Sequence, residues 1–168
     1  PIQSGSKKIL DLMNRSFDIE KFVDIATYLK KLEVKLTTDI IIGFPTETDA
    51  DFNESLEFAK TVNFSEMHIF PYSRRSGTVA DKMDCQVEKS VKSQRVAELS
   101  TVADSIRNEF LEQQIGKTLS VLVEEKQKDN EYFGYTANYT PVKISSGNVG
   151  EIKQVKIKSV QNDFCIGE

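Results

Sequence analysis

The chain has 168 residues, a formal net charge of −4, 39% hydrophobic residues and 29% charged residues. This length suits one domain or two small ones with a real core, and the composition is ordinary for a globular protein. The charge excludes a global basic field, so nucleic-acid binding would need a local patch, and no apolar run approaches the roughly 18 residues of a membrane helix.

The first third of the chain predicts two helices. Ser4 or Ser6 could cap a short helix, and Asp18 is a good cap for the next one. The second helix has apolar residues at helical spacing, which predicts one stripe facing a core. These residues are Ile19, Phe22, Val23, Ala26 and Leu29.

The chain is organised around residues 38–49, which read TDIIIGFPTETD. The apolar run predicts a strand buried on both faces, which Gly43 and Pro45 end. Thr48 and Asp51 then have the spacing of a capping box at the start of a helix. Because α/β proteins bind ligands at the carboxyl ends of strands, this turn is a candidate site. The alternative is an ordinary βα turn.

A second strand is predicted at residues 67–70, before a polar and basic loop at residues 71–78. The alternation of helices and strands implies βα units with parallel strands and right-handed crossovers. Two strands cannot form a stable parallel sheet alone. We therefore expect further strands before Pro1, and we expect this chain, which does not start with Met, to be part of a longer one.

The last third of the chain changes its period. Residues 86–114 lack Gly and Pro and predict one long amphipathic helix, which Gly116 closes. Five short strand candidates follow, separated by polar turns that include residues 128–130, and they predict a small β-barrel. We place the domain boundary between residues 1–115 and 116–168. The strand candidates are residues 119–123, 132–135, 140–144, 152–158 and 164–166.

Few side chains suggest chemistry directly. His68 is the only histidine, and inside a strand it is expected to be packed or hydrogen-bonded rather than a catalytic base. Arg74 and Arg75 follow a strand and could bind a carboxylate or a phosphate, or lie in a solvated loop. Three acidic residues could hold a hard cation or serve the start of the helix. They are Asp39, Glu47 and Asp49.

The predicted barrel is neutral, because seven lysines balance seven acidic residues from residue 116 onward. Gln154, Lys156 and Lys158 share one strand face, opposite Val155 and Ile157. Basic residues interleaved with aromatic ones are typical of OB-like barrels that hold RNA. The alternative, expected for any single aromatic residue, is a place in the barrel core. The aromatic residues are Tyr132, Phe133, Tyr135 and Tyr139.

Four stretches of the chain, in order and spacing, resemble the radical S-adenosylmethionine methylthiotransferases. They are residues 1–6 (PIQSGS), 13–15 (MNR), 38–48 (TDIIIGFPTET) and 70–78 (FPYSRRSGT). The closing barrel resembles the TRAM domain of these enzymes. Within it, residues 134–139 (GYTANY) are similar to the branch that modifies N6-threonylcarbamoyladenosine in tRNA.

This resemblance implies an α/β fold, a partial (β/α) barrel segment of a radical SAM domain, followed by a small all-β, OB-like TRAM barrel. It implies a cytoplasmic enzyme that binds tRNA and not membranes, and that converts N6-threonylcarbamoyladenosine next to the anticodon to its 2-methylthio derivative. The implied cofactors are S-adenosylmethionine and two [4Fe-4S] clusters. Two alternatives remain: a paralogue that acts on another modified adenosine or on a ribosomal protein, and a non-catalytic RNA-binding fragment.

The chain departs from the family in its cysteines. Cys85 and Cys165 match neither cluster motif nor any disulfide framework, so we expect this chain to bind no cluster and to be inactive without the missing N-terminal portion. No catalytic residue and no metal ligand are predicted. The resemblance implies cofactor binding at Gln3, Ser4, Ser6, Arg15, Asp39, Ile41, Gly43, Tyr72 and Arg75. RNA binding is expected at Tyr135, Tyr139, Lys143, Lys156 and Lys158.

Overall fold

The computed structural model describes residues 1–127 and 131–168, which form two compact units, Pro1–Ile106 and Arg107–Glu168. The turn predicted at residues 128–130 lies outside the described residues. The compact units divide inside the long helix, because Leu111 near its end packs into the core of the second unit. The domain boundary near residue 115 remains a prediction.

The first unit alternates helices and strands, as predicted. In the described residues no helix is long and apolar enough to cross a membrane. The elements are α1 (Lys7–Leu12), α2 (Ile19–Lys31), β1 (Thr37–Ile42), α3 (Asp49–Val62), β2 (Glu66–Pro71), a 3-10 turn (Ala80–Lys82) and α4 (Lys89–Glu112), whose last turns belong to the second unit.

Strands β1 and β2 pair in parallel, with Ile40 opposite Ile69. The chain near Gln3 adds a parallel bridge on the other side of β1. The Gln3 N–H donates to the Asp39 carbonyl at 3.0 Å, and the Ile41 N–H donates to the Gln3 carbonyl at 2.9 Å. The parallel arrangement inferred from the alternating elements is therefore present.

Only one face of β1 is buried, so the prediction of a strand buried on both faces is wrong. Thr38, Ile40 and Ile42 are buried, whereas the residues between them are not. The helices of this unit pack on the buried face, and the other face stays open and lines a cavity. His68 lies opposite Asp39 and is exposed, so the expectation that it is packed is also wrong.

The caps predicted for α2 and α3 are present. The Asp18 carboxylate accepts a hydrogen bond from the Lys21 N–H at 3.0 Å. At α3, the Thr48 N–H donates to Asp51 at 2.8 Å and the Asp51 N–H donates to the Thr48 hydroxyl at 3.3 Å, which completes a capping box. Each reciprocal bond satisfies a backbone donor that the helix itself cannot pair.

The second unit is a closed five-stranded barrel, which confirms the predicted small β-barrel. Its strand order is β3-β4-β5-β7-β6, and only the β5–β7 pair is parallel. Alternate residues such as Val121, Val123 and Val155 fill its interior. The strands are β3 (Thr118–Lys126), β4 (Tyr132–Thr136), β5 (Pro141–Ile144), β6 (Ile152–Gln161) and β7 (Phe164–Gly167).

A buried ion pair holds the turn between β1 and α3. Arg95 of α4 donates to Glu47 at 2.8 Å, and only 6% of Arg95 and 5% of Glu47 are exposed. The same Glu47 oxygen accepts the Gly43 N–H at 2.9 Å, and a second Arg95 nitrogen reaches Asp49 at 2.6 Å. Burial raises the pKa of Glu47, although Gly43 and Arg95 oppose this effect. The pair ties α4 to the end of β1.

Replacing Arg95 should therefore destabilise the first unit strongly. The R95A variant leaves the Glu47 carboxyl buried without its partner, and we expect a loss of about 3 kcal/mol in the free energy of unfolding. The matched control is R74A, which removes the exposed pair with Asp81 and should cost less than about 1 kcal/mol. Urea unfolding followed by far-UV circular dichroism measures both. Equal losses for the two variants would contradict the role of the buried pair.

Candidate functional site

A cavity of about 580 Å³ opens on the uncovered face of β1. Its wall continues to the carboxyl end of β2 and the loop that follows, where α/β proteins bind their ligands. Five of the nine predicted cofactor residues line this cavity: Gln3, Asp39, Ile41, Tyr72 and Arg75. The fold thus brings together residues from three separate stretches of the chain.

The cavity combines an apolar wall with separate charges. Ile41 and the half-exposed Phe70 offer apolar surface, and Asp39 on the same strand offers a carboxylate. Arg75 is exposed at the cavity, and within residues 1–127 and 131–168 its side chain makes no ion pair or hydrogen bond. Such an arrangement suits a planar, largely apolar ligand that carries both a hydrogen-bond donor and an anionic group.

The two neighbouring arginines have different surroundings. The Arg74 Nε donates to the Asp81 carboxylate at 3.0 Å, and its terminal nitrogen donates to the Asp81 carbonyl at 2.7 Å. Arg74 therefore closes its own loop, whereas Arg75 lies at the cavity. The sequence suggested an anion site for the pair, and the structure leaves Arg75 as the candidate.

Tyr72 is held at the cavity by its backbone and its ring. Its N–H donates to the Ile42 carbonyl at 2.7 Å, and its carbonyl accepts from the Lys92 ammonium at 3.0 Å. Its ring meets Phe44 edge-on, with the centroids 5.3 Å apart. Gly43 lies beside Lys92 rather than at the cavity: with φ at +76°, an added Cβ would lie 2.1 Å from the Lys92 Cγ. Only glycine fits at this point.

The predicted cofactor residues Ser4, Ser6 and Arg15 lie outside the cavity. Both serines are fully buried, and the Ser4 hydroxyl bonds the Ser55 hydroxyl at 3.2 Å. The Ser6 hydroxyl donates to Asp51 at 3.1 Å, so Ser6 does not cap α1 with its side chain. Arg15 donates to the Pro1 carbonyl at 3.1 Å. These contacts hold the first residues of the chain against their own unit, and a role in cofactor binding remains a prediction.

Asp51 is the centre of this polar network, which the sequence showed only as a helix cap. Burial alone would raise its pKa, but hydrogen bonds from Lys8, Thr48 and Ser6 outweigh that effect and lower the pKa to about 2. The Lys8 ammonium lies 2.6 Å from one carboxylate oxygen, and the Thr48 hydroxyl donates to the same oxygen at 2.6 Å.

The three acidic residues that the sequence suggested as a cation site, in and after β1, do not form one. Glu47 and Asp49 both pair with Arg95, while Asp39 lies at the cavity. Among the described residues, no three His, Cys, Asp or Glu side chains are grouped as metal ligands. Charge pairing within the protein accounts for two of the three carboxylates.

The cysteines of this chain do not fit a [4Fe-4S] cluster. Cys85 is exposed in the first unit, and Cys165 is buried in the barrel core. The Cys165 thiol donates to the Leu111 carbonyl at 3.8 Å, and burial raises its pKa to about 11. A cluster needs several thiolates around one point, which these two residues cannot provide.

The predicted RNA-binding lysines differ in their surroundings. Lys156 is exposed, next to the buried Val155 and Ile157, as the strand alternation predicted. Lys158 instead pairs with Glu168. Lys143 lies 2.5 Å from Glu131 and above the ring of Phe164, 6.0 Å from its centroid. Of these three lysines, Lys156 alone makes no ion pair with any residue that the structure describes, although its charge, after that of Lys158, also lowers the pKa of Glu168.

Three of the four barrel aromatics are not core residues, so the expectation of a core position is wrong for them. Tyr132 alone packs against the buried cluster. Tyr135 forms ring pairs with Phe133 at 5.6 Å and with Tyr139 at 6.5 Å. The side chain of Tyr139 is largely exposed, at 73%. Outward-facing positions of β4 alternate with Gly134 and Thr136, which face inward.

Comparison with known protein families matches both units. Residues 1–59 match the Radical SAM superfamily, and residues 112–168 match the TRAM domain. A radical SAM segment followed by a five-stranded TRAM barrel is thus the class of protein that the sequence and the fold define.

Three relatives show the degree of similarity. The threonylcarbamoyladenosine tRNA methylthiotransferase MtaB of Bacillus subtilis is 41% identical over 94% of this chain and 37% of its own length. The tRNA-2-methylthio-N(6)-dimethylallyladenosine synthase of Bacillus pumilus is 37% identical over 95% of this chain and 33% of its own length. The MtaB protein of Thermotoga maritima is 36% identical over 98% of this chain and 38% of its own length.

The chain belongs to the radical SAM methylthiotransferase family. It spans between 33% and 38% of the length of these relatives. The resemblance of the four sequence stretches and of the closing barrel is thereby confirmed.

Lowering the pH should remove the stabilisation that the Asp51 network provides. Because the pKa of Asp51 is depressed from 3.8 to about 2, its contribution of about 2 kcal/mol is present above pH 4 and is lost as the pH falls towards 2. The D51N variant should be less stable than wild type at pH 6, and the gap should close between pH 4 and 2. The control D11N removes an exposed pair with Lys7 and should change stability by less than about 0.5 kcal/mol. A gap independent of pH in chemical denaturation would refute this account.

Proposed function

We propose that the whole protein is a tRNA methylthiotransferase that converts N6-threonylcarbamoyladenosine next to the anticodon to its 2-methylthio derivative. The observation that carries the proposal is the cavity in which Gln3, Asp39 and Ile41, on the open face of β1, meet Tyr72 and Arg75 beyond the carboxyl end of β2. Support for this branch comes from similarity to the MtaB proteins and from residues 134–139. The cytoplasm, where tRNA is modified, is the proposed location.

The cavity has groups that fit S-adenosylmethionine. The apolar surface of Ile41 can contact the adenine ring, and the Asp39 carboxylate and Gln3 can accept or donate hydrogen bonds. Bound there, S-adenosylmethionine would supply radical chemistry, and Gln3, Asp39 and Ile41 would hold and orient it. In this proposal the cavity residues of this chain bind and orient S-adenosylmethionine.

Arg75 favours a substrate or cofactor with a carboxylate. Its guanidinium is exposed at the cavity, while the neighbouring Arg74 is paired with Asp81. A threonylcarbamoyl group carries a carboxylate, which a guanidinium binds through two parallel hydrogen bonds, whereas a dimethylallyl group is apolar. S-adenosylmethionine also carries a carboxylate, so the substrate and the cofactor have to be separated by experiment.

Activity of the whole protein tests this function. The protein extended to the length of its relatives, with its clusters reconstituted, is expected to methylthiolate tRNA that contains N6-threonylcarbamoyladenosine, as measured by mass spectrometry of nucleosides. R75M should lower the rate about tenfold or more, since an ion-paired hydrogen bond contributes about 1.5–3 kcal/mol. R74M is the control, and it should stay within about threefold of wild type because its Asp81 pair lies on the loop.

The competing substrates decide between the branches. Methylthiolation of tRNA with dimethylallyladenosine or of a ribosomal protein, without reaction of the threonylcarbamoyl tRNA, would contradict the proposed substrate. Binding of S-adenosylmethionine, measured by calorimetry on the same variants, separates a cofactor role of Arg75 from a substrate role. If R75M loses S-adenosylmethionine binding, Arg75 serves the cofactor.

A second candidate function concerns the chain alone: it is a binding module without catalysis. It is favoured by the positions of Cys85 and Cys165, which lie in different units. Anaerobic reconstitution of the 168-residue chain with iron and sulfide should give no stoichiometric cluster absorbance, because no thiolate triad exists. The extended protein is the positive control. A stable cluster spectrum from the short chain, retained after gel filtration, would exclude this candidate.

A further inference from the structure

A second depression, of about 270 Å³, lies on the outer surface of the barrel. We call it the Tyr139 groove and define it by Leu122, Glu124, Tyr135, Tyr139 and Ile152, which all line it. Three of these side chains are widely exposed: Tyr139 at 73%, Ile152 at 70% and Leu122 at 40%. Their grouping around one depression makes this part of the barrel surface a candidate binding site.

The strand register places three of the five groove residues in one row. Leu122 of β3 lies opposite Tyr135 of β4 and opposite Ile152 of β6. Tyr139 follows β4 and contacts the Tyr135 ring, with a centroid distance of 6.5 Å and an angle of 51° between the rings. The row therefore ends beside an exposed aromatic ring, and the ring and the aliphatic side chains together offer an apolar surface.

Polar rows continue the surface along the same two strands. The next outward row is Ser120 and Gln154, joined by a hydrogen bond of 2.6 Å, and the row after it pairs Thr118 with Lys156. Two residues of a strand advance by about 6.7 Å, so Lys156 lies roughly 13 Å from the apolar row. The surface runs from an aromatic end to a cationic end.

We propose that the Tyr139 groove holds one unstacked base of an RNA strand, with a neighbouring phosphate on Lys156 and with Glu124 selecting bases that carry an exocyclic amino group. This inference deepens the proposed function, because it rests on tRNA being the macromolecule bound. The occupant follows from the charges: Lys156 complements a phosphate, and the exposed rings and aliphatic side chains complement a base face.

Glu124 gives the groove its base preference. It is the only carboxylate that lines the groove among the described residues, and it is exposed at the point where the β3–β4 register shifts between Val123 and Glu125. A carboxylate accepts a hydrogen bond from the amino group of cytosine, whereas uracil presents a carbonyl oxygen at the equivalent position. We therefore infer that cytosine is preferred to uracil.

Binding of short RNAs to the 168-residue chain tests this inference. Fluorescence anisotropy with labelled oligocytidine and oligouridine should give tighter binding of oligocytidine. Tyr139 has a positive φ of 57°, which asparagine tolerates, so Y139N removes the ring and keeps the backbone. Y139N should weaken binding of both RNAs about tenfold, and Y139W should restore it. Y28A, which removes an exposed tyrosine of α2, is the matched control and should leave binding unchanged.

Two further variants separate the parts of the proposal. E124A should bring the affinities for the two RNAs together, because it removes the acceptor that distinguishes them. K156A should lower the slope of log affinity against log salt by about 0.7. Unchanged binding by Y139N, or tighter binding of oligouridine by wild type, would overturn the inference.

Failure of this inference and failure of the proposed function are distinguishable. If Y139N binds RNA like wild type while the whole protein methylthiolates tRNA, the groove assignment is wrong and the function stands. If the RNA measurements agree with expectation but no methylthiolated nucleoside forms, the groove stands and the function is wrong. If Y139N loses RNA binding and its far-UV circular dichroism also differs from that of wild type, the loss reflects a folding defect. RNA binding by the Y135A variant, for which the same loss is expected, then decides whether the groove assignment is right.

Discussion

The position of the turn between β1 and α3, called the central turn below, depends on one buried charge pair, Arg95 with Glu47. A carboxylate that is 5% exposed is costly unless an opposite charge and hydrogen bonds compensate for its lost hydration. Arg95 and the Gly43 N–H supply both at Glu47 Oε1, whereas Oε2 is buried without a hydrogen-bond partner among the described residues. As a result, the end of β1, the start of α3 and the middle of α4 are joined at a single point, and the strand end that borders the cavity is fixed by a helix distant in sequence.

Lys92, one turn before Arg95 on α4, joins the end of β2 to the same helix. Its ammonium binds the Tyr72 carbonyl, and its aliphatic stem packs where Gly43 has no side chain. One helix thus holds the ends of both strands through two cations. The packing of Lys92 also explains why a residue other than glycine would be strained at position 43, both in backbone conformation and in space.

Local patterns predicted the elements well because each depends on neighbours in sequence. The Asp18 cap, the capping box at Thr48 and the alternation of β3 and β6 are all set within a few residues. The number of barrel strands followed from turn residues and from a period of two. These local signals depend little on how the elements pack against one another.

Positions relative to a surface could not be predicted in the same way. An apolar run such as residues 40–44 is compatible with burial on one face or two, and only packing decides which. Ser4 and Ser6 looked like ligand or cap residues because a hydroxyl is suited to both, whereas their partners, Ser55 and Asp51, are some 45 to 51 positions away. Tyr135 points outward because the barrel core takes the opposite face of β4, and the sequence did not show which face that would be.

The contrast between the two thiols makes this chain easy to label at one position. Cys85 is exposed, whereas Cys165 is buried and has a raised pKa, so a maleimide dye at neutral pH will attach to Cys85 alone. The Cys85 carbonyl accepts the Thr46 N–H at 2.9 Å, directly beside the central turn. A fluorophore there would report movements of the turn in the native sequence, without any cysteine having to be added or removed.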